Sequence, residues 1–251
     1  MEEKEDLRML LSIIRSHGAD IGTVLMYILS ILIIIFLVNP LHECAHGFVA
    51  YKLGDRTAKN MGRLTLNPMA HLDYFGAIMM LIVGFGWAKP VPINPRNFKN
   101  PKVGMAISAL AGPVSNFLAA IAGGLIYNII NTILIKQGDL IYIHGTLYMS
   151  ADYDPGILKY IFLFLTFFIF INICLAVFNL IPIPPLDGSK ILMMFLPDRI
   201  IFKLQQYELY FAIGLFVLIG MGGVSEILTP IENWFYNGII DLTSLPFSWA
   251  W

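Results

Sequence analysis

The chain is poor in charge: Asp, Glu, Lys and Arg make up 13% of its 251 residues, against 57% hydrophobic residues. That balance excludes an ordinary soluble domain. Charge of one sign is also missing, because 16 Lys and Arg nearly cancel 17 Asp and Glu. No bulk positive field is available to recruit nucleic acid, and no acidic tail to act as a solvating brush. Cysteine is scarce, and Cys44 and Cys174 lie inside apolar runs, where they read as small hydrophobes and not as a disulfide framework. The opening MEEKEDLRML lacks the positive, apolar and small-residue regions of a signal peptide, so no removed leader is expected. Repeats, low-complexity stretches and loops longer than about 30 residues are absent as well, which leaves no room for an appended soluble domain.

What the chain has instead is long charge-free runs, and a mean hydropathy of +0.73 that says membrane. About 20 apolar helical residues span the hydrocarbon, and an ionisable group at its centre is costly. Residues 21–41, 103–135, 160–186 and 209–225 carry no Asp, Glu, Lys or Arg and read as spans. Residues 74–88 are short for a crossing and run into Lys89-Pro90-Val91-Pro92-Ile93-Asn94-Pro95, so they read as a re-entrant or interfacial segment. The fold expected is an all-α polytopic membrane protein with four to five transmembrane helices and a re-entrant, β-like loop segment. Its membrane-embedded domain covers 21–225, between an amphipathic interfacial helix over 1–20 and a C-terminal tail over 226–251.

Basic residues set the orientation. From Lys52 to Lys102 in the first long connection, Lys52, Arg56, Lys59, Arg63, Lys89, Arg96, Lys99 and Lys102 face only Asp55 and Asp73, so the connection should be cytoplasmic. Loop 136–159 and the tail after 225 should face outside, and the connector 187–203 inside. A multi-pass protein of the cell (inner or cytoplasmic) membrane follows, with its N-terminus outside.

At the cytoplasmic end of the first span stands His42-Glu43-Cys44-Ala45-His46, the H-E-x-x-H pattern. Four residues advance a helix by roughly 400°, so both imidazoles leave one face and can share a cation, about 10 Å from the helix end expected at Gly54. Neutral imidazole suits zinc. Glu43 is better placed to take a proton from zinc-activated water than to ligate the metal, and this is machinery for hydrolysing an amide. Chance association of two histidines and a glutamate is the bland alternative, and it is weak in lipid, where an unpaired polar trio is expensive. Catalytic zinc needs a third protein ligand. Charge-free spans leave Asp187, after Asn179-Leu180-Ile181-Pro182-Ile183-Pro184-Pro185-Leu186, as the carboxylate at membrane depth. A helix N-cap is its ordinary alternative role.

These motifs resemble the site-2 protease family of intramembrane zinc metalloproteases. His42-Glu43-x-x-His46 corresponds to the family's metal motif, and Asn179-x-x-Pro182-x-Pro184-x-x-Asp187-Gly188 to its distal motif with the third ligand. The stretches Gly62-Arg63-Leu64-Thr65-Leu66-Asn67-Pro68-x-x-His71-x-Asp73, Gly86-Trp87-Ala88-Lys89-Pro90-Val91-Pro92 and Ala111-Gly112-Pro113-x-x-Asn116 are similar to its compact prokaryotic branch, without PDZ or CBS domains. The likeness runs from about 22 to 224. It implies a Zn2+ cofactor, a transmembrane protein or peptide as substrate within the lipid bilayer, and regulated cleavage of single-span proteins or signal-peptide remnants. It points to Asn179, and with it Asn116, as substrate-binding groups, with a helix-to-helix hydrogen bond as the alternative. A substrate unwound for cleavage needs backbone partners, which 61–67 as a strand, or 89–95, would offer by strand addition. His71 stays outside the metal set. Asn39-Pro40, two residues before the first ligand, should kink the helix or start a new one.

Two rival functions remain. A metal-ion transporter would need ionisable groups along 103–135 and 160–186, which have none. A catalytically inactive scaffold would have no use for Glu43.

Overall fold

The computed structural model describes residues 21–83, 86–137, 140–143, 146–149 and 156–250. The interfacial helix expected over 1–20 lies outside them. Helix α1 (Ile21–Ile33) continues through a π-helical turn (Ile34–Val38) into α2 (Asn39–Lys52). Pro40 has no N–H and its ring crowds the carbonyl one turn back. The wider turn just before it makes room, closed by the Asn39 N–H donating to Ile34 O. Pro40 therefore neither ends the helix nor starts a separate one. The helix stops where Gly54 takes φ +111°, with the Gly54 N–H donating to Tyr51 O.

After one-turn helices at Thr57–Asn60 and Pro68–His71 comes α3 (Tyr74–Val83), capped by Asp73, whose Oδ1 accepts the Gly76 N–H at 2.9 Å. The chain then turns back alongside α3. Gly76 and the Trp87 backbone touch, and so do Gly86 and Gly76 O, so that a Cβ at either glycine would overlap backbone. Segment 74–88 is thus a helix with a returning strand of chain, not one straight span.

Helix α4 (Pro101–Gln137) is the hub, at 37 residues roughly 55 Å long and well beyond the hydrocarbon thickness. It packs against α2, α5 (Gly156–Asn179), α6 (Asp187–Met193) and α9 (Gly223–Ser244). Between α6 and α9 lie the bent pair α7 (Asp198–Gln206) and α8 (Glu208–Gly220), at 61° to one another. Among the described residues three helices, Ile21–Lys52, Pro101–Gln137 and Gly156–Asn179, are long and apolar enough to cross a membrane, and the bent pair offers a fourth. The protein is an all-α multi-pass membrane protein.

In lipid the helices associate by close packing and interhelical hydrogen bonds and not by leaving water. Tyr27, Ile31, Ile34 and Val38 interlock with Phe167 and Ile171 of α5. Gly123 brings α4 within contact of Ile169, and Gly124 within contact of Thr243. Residues 226–251, expected as a tail, are helical through Ser244 and packed on α4 and α5. Asn128 Nδ2 donates to Thr243 Oγ1 at 2.8 Å and to Ile240 O at 3.1 Å, which ties α9 to the bundle.

The strand expected over 61–67 does not form. Gly62 takes φ +66°, and the Gly62 and Arg63 N–H groups donate to Lys59 O and Ala58 O, which closes the preceding helical turn and leaves no ladder. Residues 89–94 are irregular and unpaired as a strand. Among the described residues the one sheet is a hairpin, β1 (Leu140–Ile143) antiparallel to β2 (Thr146–Met149), in the loop between α4 and α5.

Candidate metal centre and active site

The H-E-x-x-H residues occupy the middle of α2, and both histidines turn toward α4 and α6. His42, Glu43, His46 and Asp187 are all buried, each at most 9% exposed. His42 Nε2 lies 3.3 Å and His46 Nε2 3.1 Å from the same atom, Asp187 Oδ2. Among the described residues these three are the group whose ligand atoms converge, all within 4.8 Å of one another.

The outer nitrogens set the tautomers. His46 Nδ1–H donates to Ser108 O at 2.7 Å, and His42 Nδ1–H donates to Asn116 Oδ1 at 3.3 Å. In neutral rings this leaves both Nε2 lone pairs aimed at a carboxylate oxygen. Three acceptors facing one another repel unless a cation sits among them, and two imidazoles with one carboxylate are the donor set of a catalytic zinc site. The residues fit the metal.

Asp187 reaches this place because Pro182, Pro184 and Pro185 prevent α5 from continuing. Leu186 occupies the N-cap of α6 with no side-chain cap, and Asp187 is the first helical residue. Its side chain is spent on the histidines through Oδ2 and on Lys190 Nζ, 3.0 Å from Oδ1. On the opposite wall, Gly112 makes the approach of α4 possible, since a Cβ there would strike both imidazoles. Pro113 cannot donate to Ala109 O, which loosens α4 at the turn where Ser108 O receives His46.

Residues 27–221 match Peptidase family M50. The chain belongs to that family. It is 39% identical over 222 residues to "Putative zinc metalloprotease YwhC" of Bacillus subtilis (strain 168), covering 88% of this chain and 92% of that one. It is 25% identical over 209 residues to "Putative zinc metalloprotease Rip2" of Mycobacterium tuberculosis, covering 80% of this chain and 67% of the relative. No solved structure matches the chain. As a member of family M50 the protein is a zinc metalloprotease of the membrane.

Glu43 lies beside the three converging groups. Its Oε2 accepts the Val91 N–H at 2.8 Å, and no described residue bonds Oε1. Val91 belongs to the chain returning from α3, which forms one wall of a cleft of about 610 Å³ over the site. Trp87, Pro90 and Ile93 continue that wall, and Ile213, Phe216 and Val217 of α8 also line the cleft. These three α8 side chains are half exposed, so the cleft reaches the outer surface of the bundle on that side.

Asn179 and Asn116 both line the cleft. Asn116, 1% exposed, presents its Oδ1 to His42, and Asn179 Nδ2 donates to Leu175 O one turn back in α5. His71 stands apart from the metal group, its Nε2 donating to Thr65 O at 2.8 Å. Three features of the site carried no signal in the motifs: the Ser108 carbonyl, Lys190 and the α8 wall. Val91 lay inside a quoted motif, but its amide, like the Ser108 carbonyl, is a backbone group whose role no side chain announces. Gly112 was visible in Ala111-Gly112-Pro113, but only packing gives it a reason.

Proposed function

We propose that the protein is an intramembrane endopeptidase, cutting peptide bonds within transmembrane segments of single-span proteins or signal-peptide remnants and releasing membrane-tethered products. The observation that carries this reading is a buried His-His-Asp set beside a carboxylate with one unengaged oxygen, inside a largely apolar cleft among membrane helices. His42, His46 and Asp187 hold the zinc, and Asp187 keeps Oδ1 on Lys190 so that Oδ2 alone faces the imidazoles. Bound there, zinc supplies a Lewis acid and makes water acidic enough to lose its proton near neutral pH.

The chain's own groups do the rest. Glu43, held at Oε2 by the Val91 amide, takes the proton of the attacking water on Oε1 and returns it to the departing amine. Ser108 O and Asn116 hold the imidazoles as Nδ1–H tautomers through this exchange. An unwound substrate lies in the cleft between the 86–93 wall and α8, with Asn179 at its backbone and Asn116 behind His42. The basic first connection sets the active site toward the cytoplasmic face of the cell membrane.

The test uses a single-span reporter co-expressed or reconstituted with the protein. Glu43→Gln should abolish cleavage with about one zinc per chain retained, and Asp187→Ala should lose zinc. Full cleavage by Glu43→Gln overturns the role of Glu43 as proton acceptor, and full zinc content in Asp187→Ala overturns that of Asp187 as ligand.

A further inference from the structure

The returning segment 89–94 is fixed from behind at almost every turn. Lys89 N–H donates to His71 O at 2.7 Å, Arg63 Nη2 donates to Lys89 O at 2.8 Å and to Pro90 O at 3.2 Å, and Asn94 N–H donates to Asp55 Oδ2 at 2.7 Å. Asp55 is fully buried, which for a carboxylate demands partners. It has four donors: the Asn94 N–H, the Asn97 side chain at 2.7 Å, and the Thr57 N–H and hydroxyl at 3.0 and 2.5 Å. Asp55 itself is anchored just past the end of α2, with its own N–H on Ala50 O. One rigid connection therefore runs from the helix carrying Glu43, through Asp55, to the segment carrying the Val91 amide, and closes on Glu43 Oε2.

Proline explains why the remaining contact points inward. Pro90, Pro92 and Pro95 have no N–H, and each biases the residue before it toward extended backbone. With no N–H at Pro90 or Pro92, the Val91 N–H is the backbone donor of that stretch; it lies between Pro90 O, held by Arg63, and the Asn94 N–H, held by Asp55, and it donates to Glu43 Oε2.

We propose that Asp55 and Arg63 are positioning residues for the reaction: they brace the 89–94 segment so that the Val91 amide holds Glu43 in its proton-accepting place. Neither touches the metal group or the cleft. This rests on Glu43 acting as proposed above. The brace acts on the reacting geometry and not on metal or substrate affinity. Loss of it lowers kcat, leaves KM and zinc content in place, and frees two specific amides. A displacement near 1 Å at a reacting group is enough for about a hundredfold loss, so partial loosening should cost about tenfold.

The experiment takes the full chain in detergent or nanodiscs, with zinc determined by atomic emission, amide exchange followed by mass spectrometry, and a single-span reporter cut by the parent protein. Asp55→Asn replaces one of the two acceptor oxygens with an NH2 group, and Arg63→Met removes the two donors while keeping the stem. Each should lower kcat about tenfold, with KM within about twofold, parental zinc content, and faster exchange over Val91–Asn94. Asp55→Glu, which keeps the carboxylate, should recover part of kcat. If Asp55→Asn and Arg63→Met speed exchange over Val91–Asn94 while kcat stays parental, or if kcat falls only in proportion to lost zinc, the proposal is overturned. The Glu43→Gln arm separates the two claims: an active Glu43→Gln sinks the role of Glu43, whereas an inactive one beside fully active brace variants sinks only the brace.

Discussion

Gly112→Ala isolates the packing that makes the metal site. A Cβ on this residue would come to 2.5 Å from His42 Cε1 and even closer to the His46 ring. Ordinary carbon contacts begin at about 3.5 Å. One methyl group therefore asks for a shift of about 1 Å, either of α4 away from α2 or of both imidazoles. Ligand positions at a zinc site tolerate only about 0.2 Å. The shift also strains the Ser108 O and Asn116 contacts that orient the rings, because both sit on the helix that must move. Loss of such orienting partners typically costs 10–100-fold in metal affinity, and we expect Gly112→Ala to lie at or beyond the upper end. Overpacking adds a destabilisation of about 1–3 kcal/mol. Gly214→Ala is the matched control: a Cβ there meets nothing within 4 Å, and alanine improves helix propensity by about 1 kcal/mol. The assay titrates purified protein with a zinc chelator and reads the metal remaining, beside the melting temperature. Gly112→Ala should release zinc at much lower chelator concentration while Gly214→Ala matches the parent or melts higher. Equal chelator midpoints for Gly112→Ala and the parent would refute the reasoning.

Asn116→Leu should weaken zinc binding by about 10–100-fold, measured by the same titration, because His42 then loses the acceptor of its Nδ1–H. Gly76→Ala should keep its zinc but lose cleavage, since the added methyl pushes the Trp87 backbone and the cleft wall outward; zinc content beside reporter turnover checks it. Burial pushes the Asp55 carboxyl up, but the hydrogen bonds from Thr57, Asn97 and Asn94 outweigh it and hold the group below the ordinary carboxylate range. Its stabilisation is then complete above the ordinary value of about 4 and is lost as pH falls through the lowered one. Melting temperature against pH should accordingly fall less steeply at the acid end for Asp55→Asn than for the parent, and parallel curves would contradict this.

The spans and the three converging side chains could be read from the chain because lipid makes charge rare. Asp187 stood out only because 160–186 carries none. At the C-terminus the absence of basic residues said nothing of packing: Glu232 is buried beside α5 and the helix is secured through Asn128 and Thr243. Residues 61–67 failed as a strand. Leu64 and Leu66 alternate like a strand, but Gly62 in a left-handed turn diverts the backbone donors into the turn before it. The strand pair 140–143 and 146–149, which holds two Ile and two Tyr, has a composition that suits strands, but the charges that flank it give it the look of an ordinary loop. Contacts such as Val91 to Glu43, 48 positions apart, depend on the path of the whole fold and have no local signature.

The π-helical turn at Ile34–Val38 gives the first crossing two independent phases. Each residue rotates a helix by about 100°, and the one surplus residue taken up in a wide turn offsets everything downstream from everything upstream. The half before the turn can thus keep Tyr27 and Ile31 meshed with α5 while the half after it directs both imidazoles at α4 and α6. A regular helix through the same residues would satisfy one of these neighbours at the expense of the other.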